Sequence, residues 1–156
     1  MANLKLNRRL LRNHMLQSAL INAGLSLAFF IAVFGASGSP LHWSAPDHLA
    51  RDFLPQCGMI GLMSALVPAL IARREFAAAN TAALRPASKI IGLAILLALV
   101  ALAIGGAAAL LALALPVSTI DVWPALALKM LLGGALGSAF TLMALRPMIP
   151  FARSTR

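Results

Sequence analysis

Four stretches of this chain, 15–34, 53–72, 90–115 and 122–145, hold a single charged side chain among them, Lys129. A bilayer core about 30 Å thick is crossed by roughly twenty helical residues, so each stretch has the length and the composition of a transmembrane helix. Hydrocarbon offers no partner to a bare amide, which leaves only helices or closed barrels as spanning structures. Barrel strands alternate polar and apolar residues at period two, whereas these runs are apolar throughout. The expected fold is therefore all-α and integral to a membrane: one domain over 1–156, built as an antiparallel bundle of four transmembrane helices. Composition agrees, since 61% of the 156 residues are hydrophobic and 11% charged, more apolar surface than a soluble domain of this size buries.

The first run follows a basic stretch and precedes the small residues Ala36, Ser37 and Gly38, as a cleaved signal peptide would. Its apolar part exceeds the usual 7 to 15 residues of a signal sequence, so it is read as a retained span.

Charge placement sets the expected orientation. Lys5, Arg8, Arg9 and Arg12 precede the first span, Arg73, Arg74, Arg85 and Lys89 lie between the second and third, and Arg146, Arg153 and Arg156 follow the fourth. The alternate connections carry Arg51 with Asp47, Asp52 and Asp121. Lysine and arginine near a span resist translocation, which puts both termini in the cytoplasm. The brevity and the Ala/Leu-rich composition point to a bacterial inner membrane. With 13 Lys and Arg against 4 acids the formal charge is +9, but these cations flank spans instead of forming a basic domain, so no nucleic-acid partner is expected.

Spans two and four both open Asp-x-x-Pro, at Asp52 to Pro55 and at Asp121 to Pro124. Two readings stand side by side. The chain is either two related helical hairpins, 1–74 and 86–148, or four helices of which two begin with the same dipole-matched acid and first-turn proline. The connection at 116–121 is short, so spans three and four are expected to fold back on one another. Trp43 and Trp123 are expected at membrane boundaries, and Cys57, the lone cysteine, as a packing residue.

Small residues recur at intervals of four: Gly133 with Gly137 and Gly134 with Ser138 in the fourth span, Gly61 with Ala65 in the second, and Gly105 within the third. Such positions let backbones approach, either inside one chain or between subunits. Lys129 is the residue singled out for function, because a charge within a span is expensive and marks a pathway or a structural pair. Pointing toward its helix start, Lys129 reaches in the direction of Asp121 but lies too deep for direct contact without tilt or water. His14, Ser18, Asn22 and Ser26 form a polar stripe on the first span with Gln17 beside it, suited to interhelical hydrogen bonds or to a solute path. His42, Asp47, His48 and Asp52 are of metal-binding types but match no ligand spacing, and His14 stands apart from the other histidines, so neither metal nor haem nor another cofactor is expected.

There is no glycine-rich phosphate loop, no paired carboxylates within a span, no nucleophile elbow and no His-Glu zinc signature. The chain reads as a non-enzymatic, multi-pass protein in contact with membrane lipid, acting through helix contacts as a homo-oligomer or as an accessory subunit. The alternative is a small oligomeric transporter or channel with its path near Lys129 and the first-span stripe. Alkaline phosphatase fused after Asp47 should be active and fused after Arg85 inactive; activity at the second position would reverse the topology.

Overall fold

A helix surrounded by other apolar helices is held where its small residues allow close approach, and the computed structural model of this chain is organised by those positions. It describes residues 2–35, 38–78 and 86–147. Arg85, Arg153 and Arg156, and the small residues Ala36 and Ser37, lie outside the described residues, as do the side chains of Lys5, Arg8 and Arg9. Four helices follow in order: α1 (Ala2–Phe34), α2 (Phe53–Ala78), α3 (Ala87–Ala114) and α4 (Val122–Leu145). Each is long and apolar enough to cross a membrane. The outward positions are leucine-rich, with Leu20, Leu110, Leu111 and Leu131 all exposed.

Local chemistry accounts for the helix ends. Gly35 adopts φ +73° and its amide donates to the Ile31 carbonyl, so a left-handed residue closes α1. Pro86 stands at the N-cap of α3 with extended backbone, where its missing amide costs nothing. In α2 and α4 the proline falls in the first turn, and the amide four residues after each aspartate, in Gln56 and Ala125, donates to that aspartate's carbonyl. The Asp121 carboxylate makes no cap bond of its own.

Between the helices runs a short element absent from the helical expectation. Strand β1 (Leu41–His42) pairs antiparallel with β2 (Thr119–Ile120), Leu41 opposite Ile120 and His42 opposite Thr119. This ribbon ties the α1–α2 and α3–α4 connections together at one end. Asp47 folds back beneath it, accepting from the His42 amide at 2.8 Å and lying 3.1 Å from His42 Nδ1. The amide bond, with the side-chain bond behind it, holds the Asp47 carboxyl below its ordinary range. Trp43 is buried in one cluster with Leu41, Leu49 and Phe30, while Trp123 is exposed.

Of the three sequence-adjacent helix pairs, only α2 and α3 pack closely. α1 lies along α4, α2 lies along α3, and α2 also crosses α4, whereas α1 with α2 and α3 with α4 touch little. The short 116–121 connection thus joins helices that open away from each other, because their small-residue faces turn to the other pair. A Cβ added to Gly61 would fall 2.5 Å from Ala101 Cβ, and one at Gly105 would fall 2.6 Å from the Phe53 carbonyl and 2.9 Å from Cys57 Cβ. Gly133 and Gly137 play the same part for α4, facing the Asn22 backbone, Ser26 and the Asn22 side chain of α1. A Cβ added to Gly134 would lie 3.5 Å from the Ala19 carbonyl, Ala65 is buried, and Ser138 donates to the Ala135 carbonyl of its own helix.

Gly61→Leu should therefore lower stability by about 1–3 kcal/mol through overpacking. Gly92→Ala, where nothing lies within 4 Å, should be neutral or raise it by up to about 1 kcal/mol. Denaturant titration in mixed micelles compares the two, and equal stability of both variants would contradict the packing described.

Candidate functional site

Three polar layers cross the helices, and each contributes to the lining of one cavity. The first layer begins with a defect in α2. Pro68 lies inside that helix and has no amide to give the carbonyl four residues earlier, that of Ser64. Thr141 of α4, fully buried, donates its hydroxyl to that carbonyl at 2.9 Å. Ser18 and Asn22 of α1 complete the layer. Ser18 Oγ donates to the Gly137 carbonyl at 3.1 Å, and Asn22 Nδ2 donates to Ser64 Oγ at 2.9 Å and to the Ser18 carbonyl at 2.8 Å. Each such bond between helices contributes about 0.6–2 kcal/mol. The polar stripe of α1 is thus divided: Ser18, Asn22 and Ser26 face protein, His14 is half-buried and Gln17 is exposed.

The second layer is Lys129. It is 1% exposed, and its Nζ pairs with Asp52 Oδ2 at the start of α2. Three rings surround the ammonium, with centroids at 5.1 Å (Phe34), 5.4 Å (Phe53) and 6.0 Å (Phe30). Phe30 and Phe34 stand one turn apart on α1 with centroids 5.2 Å from each other. A lysine side chain in a helix leans toward the amino-terminal end, which carries this one toward the ribbon. Its partner is the aspartate of the neighbouring helix, not Asp121 of its own. The arrangement ties α4 to the end of α1 and to the beginning of α2.

The third layer is Gln56, one turn below Asp52. Gln56 Nε2 donates to Ser26 Oγ at 3.0 Å and to the Lys129 carbonyl at 3.3 Å. The Lys129 carbonyl can only accept, which fixes the amide orientation. Gln56 Oε1 is then left without a partner; among the described residues it is the one buried side-chain oxygen or nitrogen in that state.

Because α1 and α2 each pack on α4 and barely on one another, a groove opens between them, with Lys129 of α4 in its lining. It holds a cavity of about 290 Å³ bordered by Asp52, Gln56 and Lys129 at the ribbon end and by Leu25, Phe29, Pro55, Met59, Ile60 and Met63 along its length, with Asn22 and Ser26 also in the lining. From Asp52 to Met63 the groove follows α2 for about 16 Å at 1.5 Å per residue. Its rims are exposed, with Phe29 at 67% and Met59 at 55%, so the opening is lateral. Among the described residues no three His, Cys, Asp or Glu side chains gather to hold a metal ion.

The chain matches no family model, no curated protein and no solved structure. Function has to be read from the site alone.

The ion pair makes an asymmetric forecast. Asp52→Asn leaves Lys129 buried without a counter-charge and should cost about 3–5 kcal/mol. Lys129→Met leaves a carboxylate whose side chain is 32% exposed and hence still hydrated, so the loss should be smaller. Denaturant titration of both variants in mixed micelles checks the order; a Lys129→Met variant as damaged as Asp52→Asn would contradict it.

Proposed function

We propose that this chain is a non-enzymatic, multi-pass protein of the bacterial cytoplasmic membrane, and that it binds an amphiphilic molecule in the groove between α1 and α2. In this reading its four helices form an antiparallel bundle with both termini in the cytoplasm, supported by the distribution of basic residues about the spans. One observation carries the functional part. An apolar trough open at the side ends in a fixed polar cluster, Lys129, Asp52 and Gln56, close to the boundary where the helices begin.

That geometry has the pattern of a lipid-like ligand: a chain laid along Leu25, Phe29, Met59 and Met63, and a polar end held where the bilayer turns from hydrocarbon to water. Its volume is near the lower end of the roughly 300–1,000 Å³ usual for small-molecule sites. Ligand entry needs no opening of the helices, because the mouth already faces the lipid.

A solute path along the α1 stripe draws less support, since Ser18 and Asn22 are bonded to α2 and α4. The homo-oligomer or accessory-subunit reading loses the glycines at 61, 105, 133 and 137, which are occupied by contacts within the chain. It keeps Gly24 on α1 and Gly92 on α3, each with open space beside it, as surfaces where another helix can approach.

Native mass spectrometry from lipid nanodiscs tests the proposal. One small amphiphile per chain should survive release, and the double variant Met59→Trp, Met63→Trp, which fills the groove from its rim, should retain at least tenfold less. Equal retention by the filled and unfilled proteins would end this reading.

A further inference from the structure

Resting on the groove as a binding site, we propose that its ligand is an uncharged, single-chain amphiphile whose head donates hydrogen bonds, of the chemical class of a long-chain alcohol or a monoacylglycerol. Three observations select that head. The first is charge balance. Lys129 and Asp52 already neutralise each other, so a charged head would bring an uncompensated charge into surroundings where burying one is costly.

The second is access. The ammonium of Lys129 is closed in by Phe30, Phe34 and Phe53, with only 2% of its side chain exposed. Asp52, at 32%, is the member of the pair that a ligand meets. A carboxylate only accepts, and pairing with one ammonium leaves it lone pairs for another donor.

The third is the bookkeeping of donors and acceptors in the lining. Asn22 Nδ2 is engaged with Ser64 and Ser18, and Gln56 Nε2 with Ser26 and the Lys129 carbonyl. Gln56 Oε1, by contrast, is an acceptor with no partner. Both amide donors of the lining are thus engaged, while the Asp52 carboxylate and Gln56 Oε1 remain as acceptors. A hydroxyl head can donate to these acceptors, and a head that only accepts cannot. The single trough, about three turns of α2 long, suits one chain rather than two.

Three probes with the same twelve-carbon chain decide the matter: monolauroyl glycerol, lauric acid and laurylamine, each added in excess to the full chain in nanodiscs and read by native mass spectrometry. Monolauroyl glycerol should bind at one per chain and at least tenfold more tightly than either charged probe, and Gln56→Met together with the groove-filling Met59→Trp, Met63→Trp variant should each weaken it. Stronger retention of the acid or the amine, lost on filling the groove, would overturn the head-group assignment while leaving the groove as a binding site. Failure of all three to bind, or binding that persists in the filled variant, would overturn both. Gln56→Met binding the glycerol probe as well as the unaltered chain also counts against the assignment, and thermal unfolding shows whether that variant is folded.

Discussion

Where the surroundings are as apolar as leucine, hiding a leucine gains nothing, and helices stay together only through close backbone approach and the polar bonds that such closeness permits. That constraint explains the plan of this chain. Glycine sits at the two long contacts: Gly61 and Gly105 between α2 and α3, Gly133 and Gly137 between α4 and α1. Between those contacts α2 and α4 cross, and the crossing carries the buried polar groups. The Pro68 defect is the clearest case. A helix in hydrocarbon has no water to satisfy a freed carbonyl, so Thr141 on the neighbouring helix supplies the missing donor.

The ion pair follows from the same crossing. Lys129 is buried two turns into α4, and the start of α2 delivers Asp52 to it while α1 contributes two of the three rings around the ammonium. The pair exacts a desolvation cost and repays it only when the geometry is held. Here it is held from three helices at once. The groove is a by-product of this pairing scheme: because α1 and α2 are each fastened to α4 and not to one another, the space between them is left for something else. Its polar end is polar for structural reasons, and its apolar walls belong to helices long and apolar enough to cross a membrane.

Much of the organisation was legible in the residues. Span existence depends on local length and on the scarcity of charge, and the four helices fall on the four apolar runs, with α1 and α2 extending past them. The small residues four apart could be recognised as points of close approach, but not assigned partners, since glycine marks a face without naming what meets it. Lys129 stood out as a lone charge, yet its partner was misdirected toward Asp121, the acid nearest in sequence. Asp52 and Asp121 open their helices with the same motif, and only the α2–α4 crossing distinguishes them. Thr141 meets the need that Pro68 creates at the Ser64 carbonyl, and nothing in a linear chain joins those two positions, 77 residues apart.

What the amino-acid sequence determined by itself is the elements: runs this long and this free of charge satisfy their own backbone as helices, each apolar enough to cross a membrane. What the tertiary structure alone decided is pairing. The ribbon that joins the two connections, the opening of α1 from α2 and of α3 from α4, the Lys129–Asp52 pair and the groove beside it all depend on which faces meet. Helix formation is a local balance of hydrogen bonds and hydrophobic length, whereas the choice among several glycine-lined faces is settled by how all four helices fit together at once.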